Sequence, residues 1–174
     1  AVECIVDGLG SNSTLLKIGL SRSSLKDADV STLAQSLGSR NTTLQKLSLC
    51  TNSITSTGVG VLLEMMEQSS NSITDLELQL NPTIGNEGAS LLARSLENNA
   101  LPNLTRLSLS RCRIGEDGLI ALVSALEQNT SLLHLDLRDN RRGISERAYL
   151  ALAESLPGIK VLQQLDFDWC ESLA

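Results

Sequence analysis

An α/β solenoid is the fold this sequence predicts, with one parallel sheet of six strands along its inner side and α-helices along its outer side. Three observations predict it. Of 174 residues, 41% are apolar and 35 are leucine, while Phe, Tyr and Trp occur once each. A mixed globular core of this size recruits more aromatic side chains, so the core is built from one repeated shape. The pattern L-x-x-L-x-L, with Ile or Phe admitted for Leu, starts at positions 15, 44, 73, 104, 132 and 162. Its spacing stays near 29 residues along the whole chain, as an array requires. Each hexad is followed by apolar or small residues in steps of four, one stripe of a helix.

The strand hexads are Leu15-Ile18-Leu20, Leu44-Leu47-Leu49, Ile73-Leu76-Leu78, Leu104-Leu107-Leu109, Leu132-Leu135-Leu137 and Leu162-Leu165-Phe167. The helix stripes are Leu25-Asp29-Leu33-Leu37, Ile54-Gly58-Leu62-Met66, Ile84-Gly88-Leu92-Leu96, Ile114-Gly118-Leu122-Leu126 and Ile144-Ala148-Leu152-Leu156. The small second member lets each helix start lie close against neighbouring backbone. One unit cannot bury both of its apolar faces, so neighbours must stack. Strands ~4.8 Å apart on one side and helices ~10 Å wide on the other force curvature, with the sheet inside. Residues 1–174 therefore read as a single domain: a half-unit over 1–14, units starting at 15, 44, 73, 104 and 132, and a final strand from 162. Ala1, Ile5 and Leu9 occupy stripe positions of a unit without its strand, so the expectation is a fragment of a longer array. Pro82 in N-P-T-I adds one residue to the third unit. Arg141 and Arg142 add two to the fifth, where the loop should bulge.

Nine residues into each unit stands Ser23, Asn52, Asn81, Cys112, Asn140 or Cys170. A polar side chain there can bond the backbone where the strand turns away from its sheet partners. Cys is a small, weakly polar stand-in for Asn. Equivalent places two units apart lie two strand spacings from each other, so Cys112 and Cys170 do not suit a zinc site. Together with Cys4 and Cys50 they show no C-x-x-C pair and no dense disulfide framework. Reduced thiols imply a cytoplasmic or nuclear protein. Four N-x-S/T sequons, at Asn12, Asn41, Asn103 and Asn129, point instead to glycosylation. All four stand just before a strand, where Asn and Thr serve as turn residues.

A net charge of −6 argues against nucleic acid and anionic membrane as partners. No apolar stretch reaches the ~18 residues of a membrane span. The apolar fraction is too high for intrinsic disorder.

Alternation places the remaining strand residues in columns on the inner surface. They read Lys17, Lys46, Asp75, Arg106, His134, Gln164, then Gly19, Ser48, Glu77, Ser108, Asp136, Asp166, then Ser21, Cys50, Gln79, Ser110, Arg138, Asp168. A fourth column at the strand exit reads Arg22, Thr51, Leu80, Arg111, Asp139, Trp169. Trp169 offers the large rigid area of a binding hot spot, or else covers the end of the array. Asp136, Asp139, Asp166 and Asp168 crowd one end and could receive basic groups from a partner, with Arg138 and Arg111 partly offsetting them. Glu77 and Leu80 complete the candidate contact set, Leu80 being apolar where a polar residue is expected. Cys50 is expected to face solvent.

Catalytic readings do poorly. His134, the single histidine, has no nucleophile in its strand, and an open sheet offers no dry pocket. No G-x-G-x-x-G or Walker pattern is present, and no cofactor or metal is implied.

The strand signature with alternating Asn and Cys, together with G-x-x-x-L-x-x-x-L, resembles the ribonuclease-inhibitor class of leucine-rich repeats. The stretch Asn129 to Asn140, N-T-S-L-L-H-L-D-L-R-D-N, is similar to repeats of NOD-like receptor sensor domains. That resemblance implies the horseshoe fold and a non-catalytic scaffold that binds a protein on its concave face, as in an innate immune sensor. The alternatives are a regulator of a small GTPase, after the Ran activator, and a structural spacer. Self-association through Val2, Ile5 and Val6 at the N-terminal end is also expected.

Overall fold

The computed structural model describes residues 3–68, 71–140 and 145–167. Helices and strands alternate strictly. The order is α1 (Glu3–Ser11), β1 (Lys17–Gly19), α2 (Asp27–Arg40), β2 (Lys46–Ser48), α3 (Ser56–Met66), β3 (Asp75–Glu77), α4 (Gly85–Glu97), β4 (Arg106–Ser108), α5 (Glu116–Ala125), β5 (His134–Asp136), α6 (Glu146–Ser155) and β6 (Gln164–Asp166), with a 3₁₀ turn at Leu156–Gly158. The six strands form one parallel sheet in sequence order. Register is the same at every step, so that Lys17, Lys46, Asp75, Arg106, His134 and Gln164 stand side by side. Each helix packs on the next one in the chain, which places the core between the sheet and the helix row.

Burial follows the repeat. Leu47, Leu76, Leu107 and Leu135 point from successive strands into the core and are almost fully buried. Leu33, Leu62, Leu92 and Leu122 meet them from the helices. The terminal strands depart from this. Leu15 is exposed and Ile18, Leu20, Leu162 and Leu165 are only half-buried, because each lies on an edge with a neighbour on one side only.

Two details of the predicted helices are corrected. The first stripe member is outside the helix in the described units: Leu25, Ile54, Ile84 and Ile114 precede helices that begin at Asp27, Ser56, Gly85 and Glu116. They remain buried because the descending loop lies on the core. The small residue also answers mainly to side chains rather than backbone. A Cβ on Gly118 would come within 2.8 Å of both Ile114 Cγ2 and Asn86 Oδ1.

Strands of three residues need help at both ends, and asparagines supply it. At the exit, Asn52 Oδ1 accepts from the Ser23 and Leu25 amides of the preceding unit while its Nδ2 donates to the Leu20 and Leu49 carbonyls. Asn140 repeats the arrangement with Cys112 N, Ile114 N, Leu109 O and Leu137 O. Cys112 Sγ donates to the Leu78 carbonyl at 3.3 Å. A second ladder at the strand entrance was not foreseen. Asn41 Oδ1 accepts from Thr43 N and Leu44 N, and its Nδ2 donates to Leu9 O. Asn129 does the same with Ser131 N, Leu132 N and Leu96 O.

The extra residue of the third unit is absorbed beside Pro82, where Gly85 takes a positive φ of 57° and donates to Cys112 O. The expected bulge at Arg141 and Arg142, the ladder residue Cys170, and the calls on Ala1, Val2, Ile144, Asp168 and Trp169 lie outside the described residues.

Candidate functional site

The inner sheet face carries a shallow open depression lined by Lys46, Asp75, Glu77, Gln79, Arg106, Ser108, His134, Asp136 and Arg138. Strands β2 to β5 contribute these residues because alternation turns every second side chain away from the core. In-register pairing then brings side chains from four repeats together. The arrangement is an ordered charge network.

Lys46 reaches across to β3, where its ammonium pairs with Glu77 and stands 3.4 Å from Asp75. The Glu77 hydrogen bond raises the Lys46 pKa against the opposing effect of burial. Burial alone would raise the Glu77 carboxyl, yet the Lys46 ammonium together with hydroxyl and thiol donors holds it below its ordinary value. Two strands on, Arg138 grips Asp136 with Nε on Oδ1 at 2.9 Å and a terminal nitrogen on Oδ2 at 3.0 Å. Ser108 Oγ adds a bond to Asp136 Oδ2 at 3.2 Å. Burial again opposes, but these donors keep the Asp136 carboxyl low. Asp166 accepts from Gln164 Nε2, and His134 Nδ1 stands 3.1 Å from Gln164 Oε1.

Arg106 is the exception. It is exposed and lies between Asp75 and His134 in register; its backbone N–H donates to the Thr74 carbonyl, but its guanidinium makes no hydrogen bond or ion pair among the described residues. In the same depression, Gln79 Oε1 is the buried side-chain oxygen without a donor among the described residues. Neither residue stood in the sequence-derived contact set. The columns contained both, but only the pairing of their neighbours distinguishes them.

Of the contact set itself, Asp136 and Arg138 face each other, and Arg111 Nε binds Asp139 Oδ2 at 2.9 Å. Glu77 lies in the Lys46 pair and Asp166 on the last strand. Two of the four acids of the expected crowd are thus matched by bases, Asp136 by Arg138 of its own unit and Asp139 by Arg111 of the preceding one. Leu80 is exposed on the exit rim with φ 62°, and Arg22, Thr51, Arg111 and Asp139 share that left-handed conformation. The rim is one recurring turn, which explains why its side chains stand out in a row.

Cys50 corrects an expectation. It is buried, not solvent-facing, with Sγ 3.1 Å from Ser48 Oγ and 3.8 Å from Glu77 Oε2. The longer Glu77 side chain and the Ser48 hydroxyl lie against it. The Cys112 thiol is pushed up to about 12 by burial, so it supplies no thiolate at neutral pH. Among the described residues no group of three His, Cys, Asp or Glu could hold a metal ion, and no helix is long and apolar enough to cross a membrane.

Residues 69–93, 100–123 and 128–141 match the Leucine Rich repeat family. The fold is a leucine-rich repeat solenoid. Solved structures agree with that fold. The tropomodulin C-terminal domain of Caenorhabditis elegans superposes with a TM-score of 0.67 at 19% identity, covering 90% of this chain and 92% of that one. Leiomodin-1 Actin-Binding Site 2 gives a TM-score of 0.70 at 19% identity over 90% of this chain and 86% of its own. Over 65 residues the repeats are 40% identical to the centrosomal protein of 78 kDa from Mus musculus. That stretch is 37% of this chain and 8% of the mouse protein, so the chain spans a small part of that relative.

Proposed function

We propose that this leucine-rich repeat chain is a non-catalytic protein-binding scaffold whose partner lies across β3 to β5 on the concave sheet. Arg106 carries the reading. Its guanidinium has no partner among the described residues, while Lys46 with Asp75 and Glu77, and Asp136 with Arg138, hold one another in place around it. A partner carboxylate on Arg106, with an N–H reaching Gln79 Oε1, would complete the groups the sheet leaves unmatched. The surrounding ion pairs are pre-organised, so binding immobilises few further side chains. Trp169 and Asp168, which follow β6 in the chain, join the proposal as rim anchors.

The finer assignments belong to the same reading. Alternation of Asn81, Cys112 and Asn140 supports repeats of the ribonuclease-inhibitor class. Burial of Asn41 and Asn129, whose amides are spent on backbone, supports a cytoplasmic rather than a glycosylated protein. The leiomodin neighbour is named for an actin-binding site, which makes actin the first partner to try.

Co-sedimentation with filamentous actin, using wild type, Arg106→Glu, Trp169→Ala and a convex-face control Glu154→Lys, tests this. Binding lost in the first two variants and kept in the control supports the reading. If actin is not bound, proximity labelling in cells compares the same variants. Neighbours unchanged by Arg106→Glu and Trp169→Ala would leave the chain a spacer. Accelerated GTP hydrolysis by a small GTPase would favour the regulator, and capture of a microbial ligand the immune sensor.

A further inference from the structure

Depth separates the charges of the concave face by sign. Asp75, Glu77 and Asp136 expose only 17%, 25% and 19% of their side chains, whereas Arg138 exposes 57%. Lys46, at 30%, is also the more exposed member of its pairs. A carboxylate on a short stem stays near the sheet, while a guanidinium on a longer one reaches past it toward solvent. Among the described ion pairs of this face and its rim, only Asp139 stands about as high as its base, Arg111. Two further guanidiniums have no partner among the described residues. They belong to Arg106 on β4 and to Arg113, exposed just past the exit of the same unit with φ 56°. Residues 141–144 of the next unit add no acid to the sequence there. Unmatched acid lies on the other side of the molecule, where Glu64, Glu97, Glu146 and Glu154 are exposed on the helices without a partner among the described residues.

We propose that the segment seated on β4 and β5 is an acidic stretch of protein, its carboxylates taken by the guanidiniums of Arg106 and Arg113. The inference rests on the concave-face reading above and gives that partner a sign, opposite to the one the row of aspartates suggests by itself. A partner approaching the sheet meets the raised bases before the acids beneath them. Arg111 N donates to the Arg138 carbonyl at 3.0 Å, so the exposed guanidiniums of these two residues leave adjoining strand exits and add to the same positive surface. The net charge of −6 does not oppose this. The unmatched acids stand a helix diameter of ~10 Å or more behind the sheet, beyond the Debye length of ~8 Å at physiological salt. A nucleic acid fits less well. Its evenly spaced phosphates would be carried over Glu77, Asp136 and Asp139, and the six strands offer no Phe, Tyr or Trp on which bases stack. A peptide can space its carboxylates to meet two separate guanidiniums.

The test is an NMR titration that follows the arginine Nε–Hε signals of the chain. The probes are a flexible Glu-rich peptide, a Lys-rich peptide of equal length and a single-stranded oligonucleotide. The Glu-rich peptide should move the signals of Arg106 and Arg113 and leave that of Arg94, exposed on α4, in place. Arg106→Gln combined with Arg113→Gln should weaken its binding roughly tenfold or more, and added salt should weaken it further. Arg94→Gln, which removes a charge from the helix side, should change nothing. The amide spectrum of each variant reports whether it is folded. No shift at Arg106 and Arg113, an equal loss in Arg94→Gln, or tighter binding of the oligonucleotide or the Lys-rich peptide on this face would overturn the proposal. A concave-face partner that is lost in Arg106→Glu but not displaced by the Glu-rich peptide would overturn it too, and would leave the scaffold reading standing. Cellular neighbours indifferent to Arg106→Glu, with the peptide still bound, would overturn both.

Discussion

The side-chain amide of Asn81 donates to the Leu49 carbonyl, 3.0 Å away and one repeat upstream, and to the Leu78 carbonyl of its own repeat at 2.8 Å. One fully buried residue thereby staples two successive strand exits, while its Oδ1 accepts from the Ile54 amide. The Leu49 carbonyl also accepts from Asn52 Nδ2 and the Leu78 carbonyl from Cys112 Sγ, whereas the Ile54 amide has Asn81 as its acceptor.

Asn81→Ala would strand the buried Ile54 amide and remove one of two donors from each of the Leu49 and Leu78 carbonyls. The expected loss is about 2–4 kcal/mol, read by urea denaturation. Cys112→Ala removes a weaker sulfur donor and should cost distinctly less. Equal losses at the two positions would show that the hydrogen bonds do not set the stability of the ladder.

Glycines should separate by what surrounds them. Gly118→Ala drives a Cβ to 2.8 Å from Ile114 Cγ2 and 3.0 Å from Ala89 Cβ, and should destabilise by about 1–3 kcal/mol. Gly60, inside α3, has nothing nearer than Leu91 Cδ1 at 3.8 Å. Gly60→Ala should stabilise by roughly 0.5–1 kcal/mol through helix propensity. Thermal unfolding of the pair would check both signs.

Acid should loosen the concave network first. Glu77 and Asp136 have carboxyl groups held below their ordinary values of 4.5 and 3.8, so their contribution is present above those values and is lost as pH falls through the lower folded ones. Stability measured against pH should therefore decline below about pH 4.5, and Glu77→Gln should flatten that decline. A Gln variant with the wild-type profile would contradict the assignment.

The Cys112 thiol titrates near 12 rather than 9.0, so burial favours the protonated folded form. That contribution is complete below pH 9 and disappears as pH rises toward about 12. Native protein should resist alkylation at Cys112 by iodoacetamide at neutral pH and react on unfolding, as mass spectrometry of the peptide would show. Rapid modification of the folded chain would contradict this.

The repeat itself was legible because its signal is redundant. Leu47, Leu76, Leu107 and Leu135 answer to the same demand at the same phase, so an error at one is corrected by the others. The exit ladder was legible for the same reason, since Asn52, Asn81 and Asn140 recur at one offset. The entrance ladder is not legible in the same way, because N-x-S/T at Asn41 and Asn129 reads as glycosylation or turn and does not show where the amide points. Cys50 was misplaced because alternation gives direction but not cover. The side chains of Glu77, one strand away, and Ser48 decide its exposure.

The amino-acid order by itself determined the stack, its period, the sheet on one side and the helices on the other, because backbone periodicity and apolar phase are local properties repeated many times. Tertiary structure alone decided which charges on the inner face are spent on one another and which, like Arg106, are left over. Pairing depends on distances between residues some thirty positions apart, and a column of letters carries no distances.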